Sequence, residues 1–311
     1  MEQKNNTNNQ PTADNEGIKT KYEVYDENNN VITMKAEMVL LHLIQQNDFD
    51  NIKECDVLKR NLNFLEKFSD IDVDKEVSPL IAASYLGRVD IVKLLLQNPK
   101  IDPDFASKDL KHTPLTVACL SGNYEVLKLL LDAGAEVNKP TESSYTPFVF
   151  CFQRLEVESN VFENRKICLK MVDLLLQYGT DINWIVNKKK GYTLLMQLCA
   201  IKIQMNQSEK EINYEIIKFL IENGGNKNII SNKGQTAYDL CENHCNKDAI
   251  RDLLVNVQQK YFHNKAFSSV QVQNGTNGQQ IQKPLKPMVN VGKTSHKRSK
   301  SLASYLVLCN K

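Results

Sequence analysis

The sequence predicts an all-α solenoid, a stack of short helix-turn-helix units with an unstructured tail at each end. Three observations carry this. A Ser or Thr opens a short apolar helix, through proline in three of five cases, at Ser78, Thr113, Thr146, Thr193 and Thr236. A second helix bearing a Leu-Leu-type pair follows each opening. Glycine closes those second helices at Gly134, Gly179 and Gly224.

Each slot has a physical reason. Proline suits the first helical turn, where its missing N–H is not needed. The hydroxyl before it caps the free N–H groups of that turn. In the second unit Val126, Leu127, Leu129 and Leu130 recur at helical spacing and form one buried stripe. The glycine that follows takes the left-handed conformation that ends a helix. Asn98 stands in the glycine slot of the first unit, and asparagine is the next best residue for that conformation.

The openings are 35, 33, 47 and 43 residues apart. The second unit is the fullest copy: Thr113-Pro114-Leu115-Thr116-Val117-Ala118-Cys119, then Gly122, then Val126-Leu127-Lys128-Leu129-Leu130, then Gly134-Ala135. The first reads Ser78-Pro79-Leu80, Ala83-Ser84, Gly87, Ile91-Val92 and Leu94-Leu95. This resembles the ankyrin repeat, with its T-P-L-H-x-A-A, G, V-V-x-x-L-L and G-A pattern and its period near 33 residues. The resemblance spans about residues 77–256, five units. It implies short β-hairpin fingers between helix pairs. It also implies a non-enzymatic adaptor or scaffold that binds partner proteins through those fingers and the concave helical face. The family's histidine after Pro-Leu is missing. Its slot holds Ile81, Thr116, Val149, Met196 and Asp239, so the usual Thr–His bonding between units is absent and some stability is lost with it. Leu194 and Ala237 replace the proline of units four and five.

A solenoid needs its end faces covered. Met38, Leu41, Leu43 and Ile44 give residues 36–54 an amphipathic helical pattern, and residues 58–68 have another. Residues 36–76 are therefore expected to form a degenerate capping unit. The Asn-rich segment 1–35 and the basic segment 257–311 are expected to be disordered tails.

The chain has 311 residues, 41% of them hydrophobic, enough for a substantial core. No apolar run reaches the length of a membrane span, so no transmembrane segment is expected. Eight cysteines without an apolar leader point to a reducing, cytoplasmic setting. Cys119, Cys151, Cys199 and Cys241 occupy the repeat's small-residue slots and read as buried thiols. Cys241-Glu242-Asn243-His244-Cys245 has the residue types of a metal site, but no second ligand pair follows at zinc-finger spacing. No metal or other cofactor is expected. The phosphate loops, zinc-protease helices, nucleophile elbows and kinase signatures are all missing, and the five histidines are scattered. His112, just before a capping threonine, reads as structural or solvent-exposed.

Charge is unevenly placed. Residues 1–252 carry a net −7, and the remainder carries nine basic residues and no acid. An acidic body makes nucleic acid an unexpected partner for the repeat domain, whereas the tail could dock on that body or on an acidic partner. Residues 293–300 resemble a weak nuclear-import signal.

Four residues of the fourth finger are the candidate protein-binding site: Trp184, Ile185, Val186 and Lys188. Trp184 is the chain's one tryptophan, and indole is enriched at interface hot spots. Ile185 and Val186 would extend an exposed apolar patch. The competing reading is that Trp184 packs beneath the neighbouring unit. From the second small-residue slot to the Leu pair takes 10 residues in unit two, 22 in unit three and 20 in unit four. The two insertions, residues 155–166 and 201–211, fall at equivalent turns and are expected either to lengthen both helix pairs into one ridge or to form surface loops. Asn138 and Asn183 lie in a form resembling the target of asparaginyl hydroxylases. Asparagine there also stabilises a hairpin by local hydrogen bonds.

In the tail, Lys297-Arg298-Ser299-Lys300-Ser301-Leu302-Ala303 resembles the motif taken by 14-3-3-type phosphoserine-reading proteins, with Ala303 in place of proline. Ser299 and Ser301 are the candidate modification sites. Leu302, Tyr305, Leu306 and Cys309 follow at helical spacing, and Pro284-Leu285-Lys286-Pro287 fits a P-x-x-P ligand. The alternative to an adaptor is a regulatory or targeting subunit of an enzyme complex, controlled by phosphorylation of this tail.

Overall fold

The computed structural model describes residues 21–25, 31–68, 76–153, 161–202 and 207–256. Helix pairs stack in two rows. The N-terminal pair is α1 (Ala36–Gln46) and α2 (Phe49–Lys53). Units one and two follow as α3 (Pro79–Tyr85) with α4 (Val89–Leu96), and α5 (Pro114–Ser121) with α6 (Tyr124–Asp132). Unit three is α7 (Pro147–Gln153) with α8 (Val161–Gln177), and unit four is α9 (Leu194–Cys199) with α10 (Gln207–Glu222). Unit five is α11 (Ala237–Leu240), a 3-10 turn, and α12 (Lys247–Asn256). First helices contact first helices (α1, α3, α5, α7 in sequence, then α9 with α11), and second helices contact second helices. One continuous buried core runs from Ala36 to Leu254.

The N-terminal tail departs from expectation. Residues 21–35 hold an antiparallel hairpin, β1 (Lys21–Tyr25) with β2 (Val31–Lys35), in which Tyr25 pairs with Val31 and Lys21 with Lys35. Val24, Tyr25, Val31, Ile32 and Thr33 favour extended backbone, a signal hidden by the Asn-rich composition around them. Tyr22 packs against the core, and its hydroxyl lies 3.8 Å from Cys55 Sγ, seating the hairpin on the N-terminal pair. Two further hairpins join β3 (Glu66–Lys67) to β4 (Glu76–Val77), and β5 (Ile185–Asn187) to β6 (Tyr192–Thr193).

The predicted caps form at four of five openings. Ser78, Thr113, Thr193 and Thr236 each accept a hydrogen bond from the backbone N–H three residues on, at 3.2, 3.1, 3.3 and 3.4 Å. The Thr146 hydroxyl is buried without a partner. Two units replace the missing histidine locally. Thr113 and Thr116 share a hydroxyl–hydroxyl bond of 3.0 Å, and Asp239 closes a capping box on the Thr236 N–H at 2.8 Å.

The ends of the second helices split the glycine expectation. Gly134, Gly179 and Gly224 are left-handed, with φ of 88°, 83° and 97°. Asn98 is not. It extends its amide to Leu58 O and Arg60 O at 2.8 and 3.0 Å, tying unit one to the N-terminal pair. Asn47 is the asparagine that takes the left-handed cap, at the end of α1.

Units are stitched by a ladder of Asn and Asp side chains in the loops after the second helices. Asn63 Oδ1 accepts from Asp102 N at 2.9 Å, Asn138 Oδ1 from Asp181 N at 2.8 Å, and Asn183 Oδ1 from Asn226 N at 2.7 Å. The same amides donate to Lys100 O, Gly179 O and Gly224 O of the following unit. Asp104 fills the remaining rung, accepting from Glu136 N with both oxygens. Burial raises its carboxyl above the usual range.

The insertions lengthen second helices. α8 and α10 have 17 and 16 residues, against 8 in α4 and 9 in α6, while α7 and α9 stay short. Residues 154–160 and 203–206, parts of these insertions, lie outside the described residues.

Each ladder asparagine satisfies one donor and one acceptor of its neighbour, and at about 0.5–1.5 kcal/mol per bond the two together are worth about 1–3 kcal/mol. Asn183→Ala is expected to lower stability by that amount in urea denaturation. Asn183→Asp keeps the acceptor, as Asp104 does naturally, and is expected to lose about half as much.

Candidate protein-interaction surface

The fourth finger is a built structure. Asn187 is buried, and its Oδ1 accepts from Lys190 N at 3.0 Å while its carbonyl accepts from Gly191 N at 2.8 Å. Three consecutive lysines, Lys188, Lys189 and Lys190, form the turn with their side chains exposed. The fifth finger clamps this turn from behind. Asn232 donates from Nδ2 to Lys188 O and Lys189 O, both at 3.1 Å, and from its backbone N–H to Lys190 O at 3.0 Å. Gly191 makes the approach feasible. Its φ is +70°, and a Cβ there would lie 2.4 Å from Asn232 Oδ1.

The four predicted binding residues divide. Lys188 is exposed. Ile185 is half-buried. Val186 is only 1 % exposed, because pairing of β5 with β6 turns it into the core, so it leaves the candidate surface. Trp184 is half-buried against the core, and its indole N–H donates to Ser144 O of the third finger at 3.0 Å. That geometry matches the packing alternative for Trp184. The exposed apolar finger residues are elsewhere, at Leu110 (43 % exposed) and Ile230 (64 %). Their signal in the sequence is a single aliphatic residue within an otherwise polar finger, which many surface positions share.

Below the fourth and fifth fingers lies an open cleft of about 650 Å³, walled by α9 and α11. Lys190 and Tyr192 enter it from one finger, Lys233 and Gln235 from the next. Lys202, just past the end of α9, lines it too, with Arg251 of α12. The Lys190 ammonium stands 5.7 Å from the centre of the Tyr192 ring. Two acids also line the cleft, and both are engaged. Asp239 is tied to the backbone and hydroxyl of Thr236, which hold its carboxyl below the usual range. Glu242 takes Lys247 at 3.2 Å and Arg251 at 2.6 Å, and is likewise held low.

The residues that looked metal-like are employed in packing. Cys241 donates to Ala237 O at 3.3 Å and sits beside Cys199 in the adjacent unit. Burial and then Cys119 hold the Cys151 thiol well above its usual range. For Cys199 the bond with Cys241 leads and burial follows. These thiols are small apolar packing groups. His244 Nδ1 accepts from Asn246 N at 2.9 Å. His112, expected as structural or exposed, is buried edge-on to the Phe150 ring at 5.5 Å. Ser299, Ser301, the 297–303 motif, the P-x-x-P segment and the tail's apolar stretch all lie outside the described residues.

Trp184→Ala removes half-buried ring packing and the bond to Ser144, and is expected to cost about 2–3 kcal/mol in urea denaturation. Trp184→Phe keeps most of the packing and is expected to lose about 1 kcal/mol. Burial, then the nearby Lys210 charge, depresses His244 from 6.5 to about 4. The unfolded chain therefore takes up a proton between these values that the folded chain refuses. Stability is complete above 6.5 and falls as pH drops towards 4. The gap in urea midpoint between wild type and His244→Asn should narrow from about pH 7 to about pH 5.

Residues 40–141 match the family model for ankyrin repeats, in three copies beginning inside α1. Two ankyrin repeat proteins of Acanthamoeba polyphaga mimivirus are 30% identical over 142 residues (42% of this chain, 23% of theirs) and 28% over 176 residues (47% and 26%). The ankyrin repeat protein nuc-2 of Neurospora crassa is 27% identical over 192 residues, covering 61% of this chain and 16% of that protein. The chain thus spans about a quarter or less of these relatives. The crystal structure of EF0377, an ankyrin repeat protein, superposes with a TM-score of 0.50 at 24% identity, covering 71% of this chain and 98% of that one. With the stacked pairs, capped openings and hairpin fingers, these matches make the chain an ankyrin-repeat protein.

Proposed function

We propose that this chain is an adaptor or scaffold that holds partner proteins on its fingers and first-helix face. Ankyrin repeats are generally protein–protein interaction modules without catalytic activity of their own. One observation carries the reading here. The fourth and fifth fingers are locked together through backbone hydrogen bonds, so Lys188, Lys189 and Ile230 are displayed on a rigid edge. A surface ordered before binding loses less entropy when a partner docks. Cys119, Cys151, Cys199 and Cys241 are buried free thiols, which supports placing this activity in a reducing cytoplasm. The alternative, a regulatory subunit switched at Ser299 and Ser301, rests on the tail's sequence alone.

Affinity capture from native lysate separates the two. The full chain and a chain ending at Asn256 are compared by mass spectrometry. Partners kept by the shortened chain support the adaptor. Partners lost with the tail transfer the function to residues 257–311, and a full chain that captures nothing above control sinks both readings.

A further inference from the structure

We propose that the row of finger tips binds an acidic segment of a partner protein that also carries aliphatic side chains. Its carboxylates are taken by Lys188, Lys189 and Lys233 and, farther along the row, by Lys108 and Lys111. This rests on the adaptor reading and gives the chemistry of what the adaptor holds.

The tips form one bonded edge. Leu110 O of the second finger accepts from Glu142 N of the third at 2.9 Å. Ser144 O of the third accepts from the Trp184 indole at the base of the fourth at 3.0 Å. Lys190 O of the fourth accepts from Asn232 N of the fifth at 3.0 Å. Lys108 and Lys111 stand exposed on the second tip, Lys188 and Lys189 on the fourth, and Lys233 on the fifth. No ion pair is found for any of them among the described residues. Lys190 is turned instead to the Tyr192 ring, 5.7 Å from its centre. Two exposed acids, Asp109 and Glu142, share the tips. Asp109 lies between Lys108 and Lys111 and offsets part of their charge, and Glu142 makes the third tip acidic. Positive charge is therefore strongest at the fourth and fifth tips. Lysines fixed along an edge raise the local positive potential, and that potential selects and steers an anionic partner. The chain's own tail carries no acid after Asp252 and is repelled from this edge, so the occupant is another molecule.

Apolar side chains favour a protein segment. Leu110 is exposed between the lysines of the second tip, and Ile230 is exposed on the fifth finger, close in sequence to Lys233. Aliphatic side chains of a partner can pack on both, and phosphates cannot. Packed helices lie about 8–10 Å apart, which sets a similar spacing between successive fingers. An extended chain rises about 3.3 Å per residue, so carboxylates about three residues apart reach the fourth and fifth tips. About nine residues span the row from the second tip to the fifth. Glu142 sets the register, because the partner residue opposite it must be neutral or basic. A nucleic-acid strand fits less well. Its evenly spaced phosphates need a continuous positive track, and Glu142 interrupts the track between the second and fourth tips. The tips themselves, residues 108–111, 142–144, 188–191 and 232–234, hold no aromatic ring on which bases could stack.

The test uses the full chain with a fluorescein-labelled peptide of repeating Glu-Glu-Leu, its Gln-Gln-Leu counterpart and a single-stranded oligothymidylate, read by fluorescence anisotropy. Affinity for the acidic peptide should fall about tenfold in the double variant Lys188→Glu/Lys189→Glu. It should rise about threefold in Glu142→Lys, a gain that loss of structure cannot produce. It should stay unchanged in Lys128→Glu, on the surface of α6. The basic tail is the same in all these proteins, so it cannot produce the differences. Circular dichroism and melting should match wild type, because every exchanged side chain is exposed. Hydrogen exchange maps the contact: amides of residues 188–191 and 232–234 should exchange more slowly with the acidic peptide bound. Slowing confined to residues beyond Asn256, no gain in Glu142→Lys, equal losses in Lys128→Glu, equal binding of the neutral peptide, or tighter binding of oligothymidylate would each overturn the proposal. The double variant also separates this proposal from its parent. If it still captures every lysate partner of the wild type, the adaptor stands and the lysine edge falls. If wild type captures none but binds the peptide at the finger tips, the edge stands and the adaptor falls.

Discussion

The structure depends on one kind of bond, an Asn or Asp side chain of one unit satisfying the backbone of the next. A single helix pair cannot stand alone, since its apolar stripe has nothing of its own to cover it. Stacking supplies that cover but is non-directional, and would let units slide. The rungs at Asn63, Asp104, Asn138 and Asn183 fix the register, because each aims a short side chain at a particular N–H and, in the asparagines, a particular C=O. Side chains elsewhere add to this. The Asn123 amide donates to Ser84 O and Tyr85 O, the Arg88 guanidinium to Gln45 O, and Asn98 to Leu58 O and Arg60 O. The chain lacks the family's histidine, and its substitutes are of this side-chain-to-backbone sort or lie within a unit.

The ladder also explains the division between what could be read in the sequence and what could not. Openings, caps and stripes are local. Proline, hydroxyl and leucine sit within a few residues of the backbone they organise, so Ser78, Thr113, Thr193 and Thr236 reveal their caps directly. The N-terminal hairpin was missed because a short alternation of Tyr, Val and Ile was outweighed by the asparagine around it, and because what seats it, Cys55, lies 33 residues away. Asn98 misled for the opposite reason. Its slot suggested a left-handed cap, but its amide found two carbonyls about 40 residues earlier.

The fourth finger was legible as a structural element, but the burial of its individual residues was not. Sequence put four candidate binding residues on that finger, and of them Lys188 is exposed. It could not tell which face of β5 turns inward, because a strand of three residues has too little alternation to give its phase. Val186 therefore read as surface and belongs to the core. Trp184 has the same ambiguity in stronger form. A large ring with a polar N–H suits an interface or a half-buried joint between units equally well, and Ser144 O decides for the joint.

These joints bear on recognition as well as stability. Three adjacent lysines repel one another, and a free loop would relieve that by spreading. Here the carbonyls of all three are held by Asn232, and Gly191 has no Cβ to keep that asparagine away. The repulsion is therefore borne by the fold, as functional surfaces often require. A partner docking on such a finger meets a loop that is already ordered. The lengthened α8 and α10 leave this arrangement alone. Their added turns lie in the second-helix row, while the cleft is walled by the short α9 and α11.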